Sequence, residues 1–238
     1  MVKFLLGFIL LFGFARGYAE SNSISLGETL SQENKTFTEK MPKEVVELYE
    51  KNIKELKASG LSKQSLKVGD KVPEVNVMLG GKEVPLSSIY GKGPVVLKFY
   101  RGGWCPYCMA ELKHYQKMNG DFKKAGAQIL ALAPDNATQI RDTATKNSLS
   151  YDVVSDDHHK IARKFGLVYK MDQNVVDQLK KNGVDLSVYQ GNSDHELAIP
   201  ATFVVDKGGK ITFAYVDADY RVRAEPSTVL QAVKASTN

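Results

Sequence analysis

The sequence predicts an α/β protein with a central, mostly parallel sheet, an antiparallel hairpin near the C-terminus and helices on both faces. Three observations carry this expectation. Between about residues 67 and 165, short β-branched runs alternate with stretches of helical periodicity. Near the end of the chain, the turn Lys207-Gly208-Gly209 joins two consecutive strand patterns. The chain of 238 residues is 43% hydrophobic and 25% charged, with no apolar run of the roughly 18 residues a membrane-spanning helix needs.

Taken in order, Met1-Val2-Lys3 carries one cation ahead of the apolar run Phe4 to Ala15. Small residues, Gly17 and Ala19, occupy the positions a signal peptidase inspects, so residues 1–19 are expected to be a secretory signal. The mature chain is then exported, periplasmic or secreted, with no stable membrane insertion after cleavage; an uncleaved anchor is the alternative. Residues 20–40, rich in Ser, Asn, Thr and Glu, read as a flexible linker. Residues 41–66 read as an amphipathic helical extension: Val45, Val46, Tyr49, Ile53 and Leu56 recur at three- and four-residue steps between Pro42 and Gly60.

The main domain is expected over 67–238, with an insertion at about 168–198. Val75 to Leu79 and the buried run Val95 to Tyr100 read as strands, the latter feeding through Arg101-Gly102-Gly103 into Trp104-Cys105-Pro106-Tyr107-Cys108. Leu112, Tyr115, Met118 and Phe122 then share one helical arc, with Cys108 near its middle and Cys105 towards its edge. Strands follow at Ala127 to Ala133 and Tyr151 to Val154, around a helix from Asn136 to Lys146, and Asp156 caps a short helix ending at Phe165-Gly166. The insertion is polar and irregular, with a helix around Asn174 to Lys181. Strand Ala201 to Val205, the alternating Ile211, Phe213 and Tyr215, and a helix from Pro226 to Val233 complete the order of a thioredoxin-like fold with an N-terminal extension.

Lys and Arg outnumber Asp and Glu by 32 to 27, but the charges are interspersed, so no nucleic-acid footprint is present. The two cysteines, Cys105 and Cys108, enclose only two residues. A bridge across so short a loop contributes about 2 kcal/mol by chain entropy, against nearly 5 for a hundred-residue loop, so redox chemistry explains the spacing better than stapling. A zinc site would need two further ligands at fixed spacing, which the four scattered histidines do not supply. No metal or cofactor is expected.

Where a strand ends and a helix starts, the Cys105 sulfur meets unpaired N–H groups and the positive end of the helix dipole, which favour thiolate over thiol. Positions three apart on a helix lie within disulfide reach. Cys105 is therefore expected to be the accessible nucleophile and Cys108 the shielded partner that attacks second. Ile199-Pro200 stands at the start of a strand, where a proline is tolerated.

These motifs resemble a known family. Gly93 to Gly103 with Trp104-Cys105-Pro106-Tyr107-Cys108, Val68-Gly69-Asp70-Lys71-Val72-Pro73, Leu132-Ala133-Pro134, Ser155-Asp156 and Ile199 to Asp206 are similar to the peroxiredoxin-like branch of the alkyl hydroperoxide reductase and thiol-specific antioxidant family. The resemblance covers about residues 42 to 235. It implies that Cys105 attacks peroxide and Cys108 resolves, that Trp104, Ile199 and Pro200 line the substrate site, that Pro200 is a cis-proline facing the sulfur, and that Arg101, Arg221 or Arg223 polarises the peroxide. The sequence departs from the family where a Thr and a Pro, three and seven residues before the attacking cysteine, shape the peroxide pocket: here these are Gly102 and Lys98.

Three functions stay open at this point. One is a thiol peroxidase recycled by an external dithiol such as thioredoxin. Another is an exported thiol–disulfide oxidoreductase acting on protein disulfides. The third is a non-enzymatic redox-sensing or metal-handling module.

Overall fold

The computed structural model describes residues 24–236. The expected signal segment, 1–19, lies outside the described residues.

The stretch expected as a flexible linker is a helix, α1 (Leu26–Lys40). Ser25 and Glu28 form a reciprocal capping box, and the Glu225 carboxylate accepts from the N–H groups of Leu26 and Gly27 at 3.2 and 2.7 Å. Two of the orphan donors at the helix start are thereby satisfied by an anion placed against the positive dipole end. The fully buried Leu26 and Leu30 anchor its inner face. The next helix, α2 (Lys43–Ala58), buries Val45, Tyr49 and Ile53 as its periodicity predicts, with Pro42 standing just outside as the cap. Phe37 meets Tyr49 edge to face, with centroids 5.5 Å apart, which joins the two helices.

A hairpin of β1 (Asn76–Leu79) and β2 (Lys82–Pro85) and the short α3 (Ser87–Tyr90) precede the central sheet. That sheet has the order β5-β4-β3-β8-β9, built from β3 (Val95–Phe99), β4 (Gln128–Ala133), β5 (Asp152–Ser155), β8 (Ala201–Val205) and β9 (Ile211–Val216). The strands β3, β4 and β5 pair in parallel, whereas β8 runs antiparallel to both β3 and β9. The C-terminal hairpin therefore puts β9 at the edge, as expected, while β8 packs inside. Every residue of β3 is buried. Alternation sends Val95, Leu97 and Phe99 into one core, with Phe165 and Phe203, and Val96 into another, with Tyr115, Phe122 and Val229.

Helices α4 (Pro106–Lys124) and α9 (Pro226–Ala235) cover that second face. The helix α5 (Ala137–Lys146) follows β4, and Asp156 accepts from the N–H groups of Ile161 and Ala162 at the start of α6 (Lys160–Lys164). The segment expected to be irregular holds more than its one anticipated helix. Strands β6 (Val168–Lys170) and β7 (Glu196–Ala198) pair antiparallel around α7 (Gln173–Lys181) and α8 (Leu186–Gln190). Its apolar residues Met171, Val175, Val176 and Leu179 join Leu26, Leu30, Val45, Tyr49 and Ile53 in one cluster with Cys105 and Cys108. No helix among the described residues is long and apolar enough to cross a membrane.

Candidate active site

Cys105 is the N-cap of α4 and Pro106 its first helical residue, so the missing proline N–H leaves no helical hydrogen bond unmade. Both cysteines are free, and the Cys108 S–H donates to the Cys105 sulfur at 2.9 Å. The donor and acceptor roles match the acidities. Burial raises the Cys105 pKa, but the Cys108 hydrogen bond and the Arg101 and Arg223 guanidinium groups outweigh it and bring the thiol down to about 6. Burial, and the charge and hydrogen bond of Cys105, push Cys108 well above the ordinary thiol range.

In one respect the structure corrects the sequence reading. Cys105 is as buried as Cys108, both at 0% exposure, because α1, α2 and α7 close over the pair. The alternation of α4 alone put Cys105 at an edge; the segments read as linker and insertion supply the cover.

Of the three candidate arginines, two reach the sulfurs. The Arg101 Nη1 lies 4.0 Å from the Cys105 sulfur, and its guanidinium sits over the rings of Tyr220 at 4.1 Å and Trp104 at 4.9 Å. The Arg223 Nη2 lies 3.6 Å from the Cys108 sulfur. Arg221 is engaged elsewhere: it forks onto Asp219 at 2.8 and 2.9 Å and pairs with Glu50 on α2, so it ties the cover down rather than polarising a substrate. Tyr107, inside the Cys-Pro-Tyr-Cys motif, meets the Tyr220 ring at 5.5 Å and donates to Asn34 on α1 at 3.3 Å.

Ile199 and Pro200 are not as the resemblance describes them. The pairing of Phe99 with Ala201 sets Pro200 beside the loop that leads to Cys105. The Ile199–Pro200 bond is trans, as are all peptide bonds among the described residues, and the Ile199 N–H donates to the Leu167 carbonyl at 2.8 Å, so that donor is spent inside the fold. The β6 and β7 pairing just before Ile199 holds this backbone in place.

Beneath the cysteines lies a buried cluster that joins Lys98 and Arg223 to a residue not singled out from the sequence, Glu111. Lys98 and Glu111, each 1% exposed, pair at 2.7 Å; Lys98 also donates to Thr202 at 2.9 Å and lies 3.8 Å from the Tyr115 ring centroid, and Arg223 donates to the second Glu111 oxygen at 3.0 Å. Burial pushes the Lys98 pKa down, with Glu111 opposing. The sequence carried a signal: a lysine inside the apolar run Val95 to Tyr100, and a glutamate three residues after Cys108 on the same helical face. Among the described residues no three His, Cys, Asp or Glu side chains converge as metal ligands.

Residues 68–214 match the AhpC/TSA family, which is more than half of the chain. The chain belongs to the AhpC/TSA family. Within it, the sequence is 30% identical over 126 residues to a chloroplastic peroxiredoxin Q of Gentiana triflora, spanning 51% of this chain and 58% of that one. It is 26% identical over 148 residues to peroxiredoxin Bcp of Bacillus subtilis, spanning 62% and 83%. The chain thus matches somewhat under two thirds of the length of the Gentiana relative. Among solved structures, peroxidoxin BcpB of Mycobacterium tuberculosis superposes with a TM-score of 0.55 at 21% identity, covering 71% of this chain and 97% of that one. Peroxiredoxin Q of Xanthomonas campestris gives 0.54 at 21%, covering 69% and 92%, and both share the thioredoxin-like fold found here.

The acidities carry a direct test. Alkylation of Cys105 by a small reagent is expected to proceed at pH 7 and to slow as the pH falls through about 6, where its thiolate takes up a proton. Peptide mapping should find Cys108 unmodified throughout this range; earlier labelling of Cys108 would reverse the two roles.

Proposed function

We propose that this chain is a thiol peroxidase. The Cys105 thiolate attacks the O–O bond of hydrogen peroxide or an organic hydroperoxide and becomes a sulfenic acid. Cys108 then displaces water from it to form a disulfide, and an external dithiol such as thioredoxin reduces that bond. The observation that carries this reading is the Cys108 S–H held 2.9 Å from the Cys105 sulfur in an AhpC/TSA chain, with Arg101 4.0 Å away. The donated hydrogen bond and the guanidinium favour a thiolate on the residue that must attack, and the short separation favours prompt closure of the disulfide.

The apolar run and small residues at 1–19 support export to an oxidising compartment. A mature N-terminus at Glu20, found by mass spectrometry, is the expected result.

The single tryptophan, Trp104, adjoins the sulfur and reports on its oxidation. In stopped flow, micromolar hydroperoxide is expected to change its fluorescence rapidly, and thioredoxin is expected to sustain turnover. A response to protein disulfides alone would overturn the peroxidase reading in favour of thiol–disulfide exchange.

A further inference from the structure

The space behind Gly102 holds two polar groups that the mechanism above leaves unused. The Trp104 Nε1 and the Asp135 Oδ1 are both buried and both without a hydrogen-bond partner. They lie close together against the Gly102 backbone, where an added β-carbon would come within 2.3 Å of the first and 2.8 Å of the second. Gly102 also holds φ at +150°, so this close approach of backbone to the two groups requires glycine. The other Asp135 oxygen accepts from the Gly103 N–H at 2.7 Å, which fixes the carboxyl and leaves Oδ1 pointing free. Asp135 stands at the C-terminal end of parallel strand β4, the edge of an open α/β sheet where ligands bind. One face of the Trp104 ring rests on Arg101, whose guanidinium reaches Cys105, so Trp104 borders the reactive sulfur, and the Cys105 charge is felt at Asp135. Buried polar atoms left unpaired are uncommon and costly, and two of them meeting beside a nucleophile mark a place for a ligand that both donates and accepts.

We propose that the Trp104 indole N–H and the Asp135 carboxyl form the polar wall of the hydroperoxide site, with Asp135 as the acid that protonates the leaving oxygen. This rests on the peroxidase reading and adds a residue to it. The hydroperoxyl group accepts from the indole and is held by the carboxyl. The Cys105 thiolate attacks the terminal oxygen, an S–O bond forms, the O–O bond breaks, and the departing oxygen takes the Asp135 proton to leave as water or an alcohol. Sulfur loses two electrons and the peroxide gains them. The negative charge moves from Cys105 to Asp135, and the proton released when the dithiol later restores the Cys105 thiolate reloads the carboxyl. Burial raises the Asp135 pKa to about 7, against the Gly103 hydrogen bond and with help from Cys105, so the acid form is populated near neutrality. This pair occupies the neighbourhood in which the family resemblance leads one to expect a threonine.

The test compares two oxidants in quenched flow, with dimedone trapping of the Cys105 sulfenic acid. The leaving group of tert-butyl hydroperoxide needs a proton; peracetic acid leaves as acetate and needs none. Asp135→Asn keeps an acceptor for Gly103. It is expected to slow the hydroperoxide reaction about 100-fold and the peracetic acid reaction by only about five-fold, the smaller loss reflecting the carboxyl contact that both oxidants share and the difference reflecting the proton. Equal slowing of both oxidants would reduce Asp135 to a structural role, and no slowing of either would remove it; each result overturns the proposal. A measurement on the unsubstituted protein guards against misfolding of the variant. Across hydroperoxides of increasing leaving-group basicity, its rate should fall less steeply than that of free cysteine, and an equal slope would overturn the proposal. If the unsubstituted protein reacts with no hydroperoxide faster than free cysteine does, the peroxidase reading fails first and takes this one with it.

Discussion

Glu111→Leu is expected to lower the unfolding free energy by about 3–5 kcal/mol, because it strands the Lys98 and Arg223 cations in the core. For a chain of this length the corresponding fall in Tm is roughly 10 °C. The size of the effect comes from uncompensated buried charge more than from lost attraction. In that case Lys98→Met combined with Glu111→Leu should recover part of the loss, since one of the two stranded cations is gone and a methionine fills a similar volume. Urea denaturation of both variants decides the point. A loss below about 1 kcal/mol for Glu111→Leu would mean that the carboxylate contributes little and that water reaches the cations.

The second large effect is catalytic. Cys105→Ser is expected to abolish reaction with hydroperoxide, and Cys108→Ser to permit one event per molecule and then stall, lowering steady-state turnover by roughly 10³-fold. With a hydroxyl at position 108, nothing within reach of the sulfenic acid can displace its oxygen, so Cys105 should label with dimedone in stoichiometric amount. Undiminished turnover by Cys108→Ser would pass the resolving role to an external thiol.

The five strands of the central sheet, α4 and the placement of the cysteine pair were legible because they rest on local signals: β-branched runs, a 3.6-residue period, and a proline at a helix start. The reading of residues 20–40 missed a signal that was present. Ser25 and Glu28 form a capping box, three residues apart, but the polar composition around them masked it. Pairwise encounters between distant segments were not legible. Lys98 reaches Glu111 only because β3 lies under α4, and Arg223 reaches both Glu111 and Cys108 only because the loop after β9 folds back. The cover over Cys105 is likewise a tertiary product, since α2 and α7 are far apart in the chain, and each is a plain amphipathic helix when read alone. The choice among three arginines was undecidable in sequence for the same reason. Glu50, which together with the neighbouring Asp219 holds Arg221 away from the sulfurs, is brought to it by the fold.

The closed roof over the two sulfurs would divide the proposed peroxidase cycle in time. A protein dithiol has to touch the sulfur it attacks, and in this free-thiol form both sulfurs stand at 0% exposure. On the proposed peroxidase reading, a protein reductant would therefore need this cover of α1, α2 and α7 to open first, and the frequency of that opening would belong to this chain. As the reductant concentration rises, turnover should level off at that opening frequency. The Lys57–Asp219 and Arg221–Glu50 pairs, which join α2 to the loop after β9, would act as the clasp that sets it.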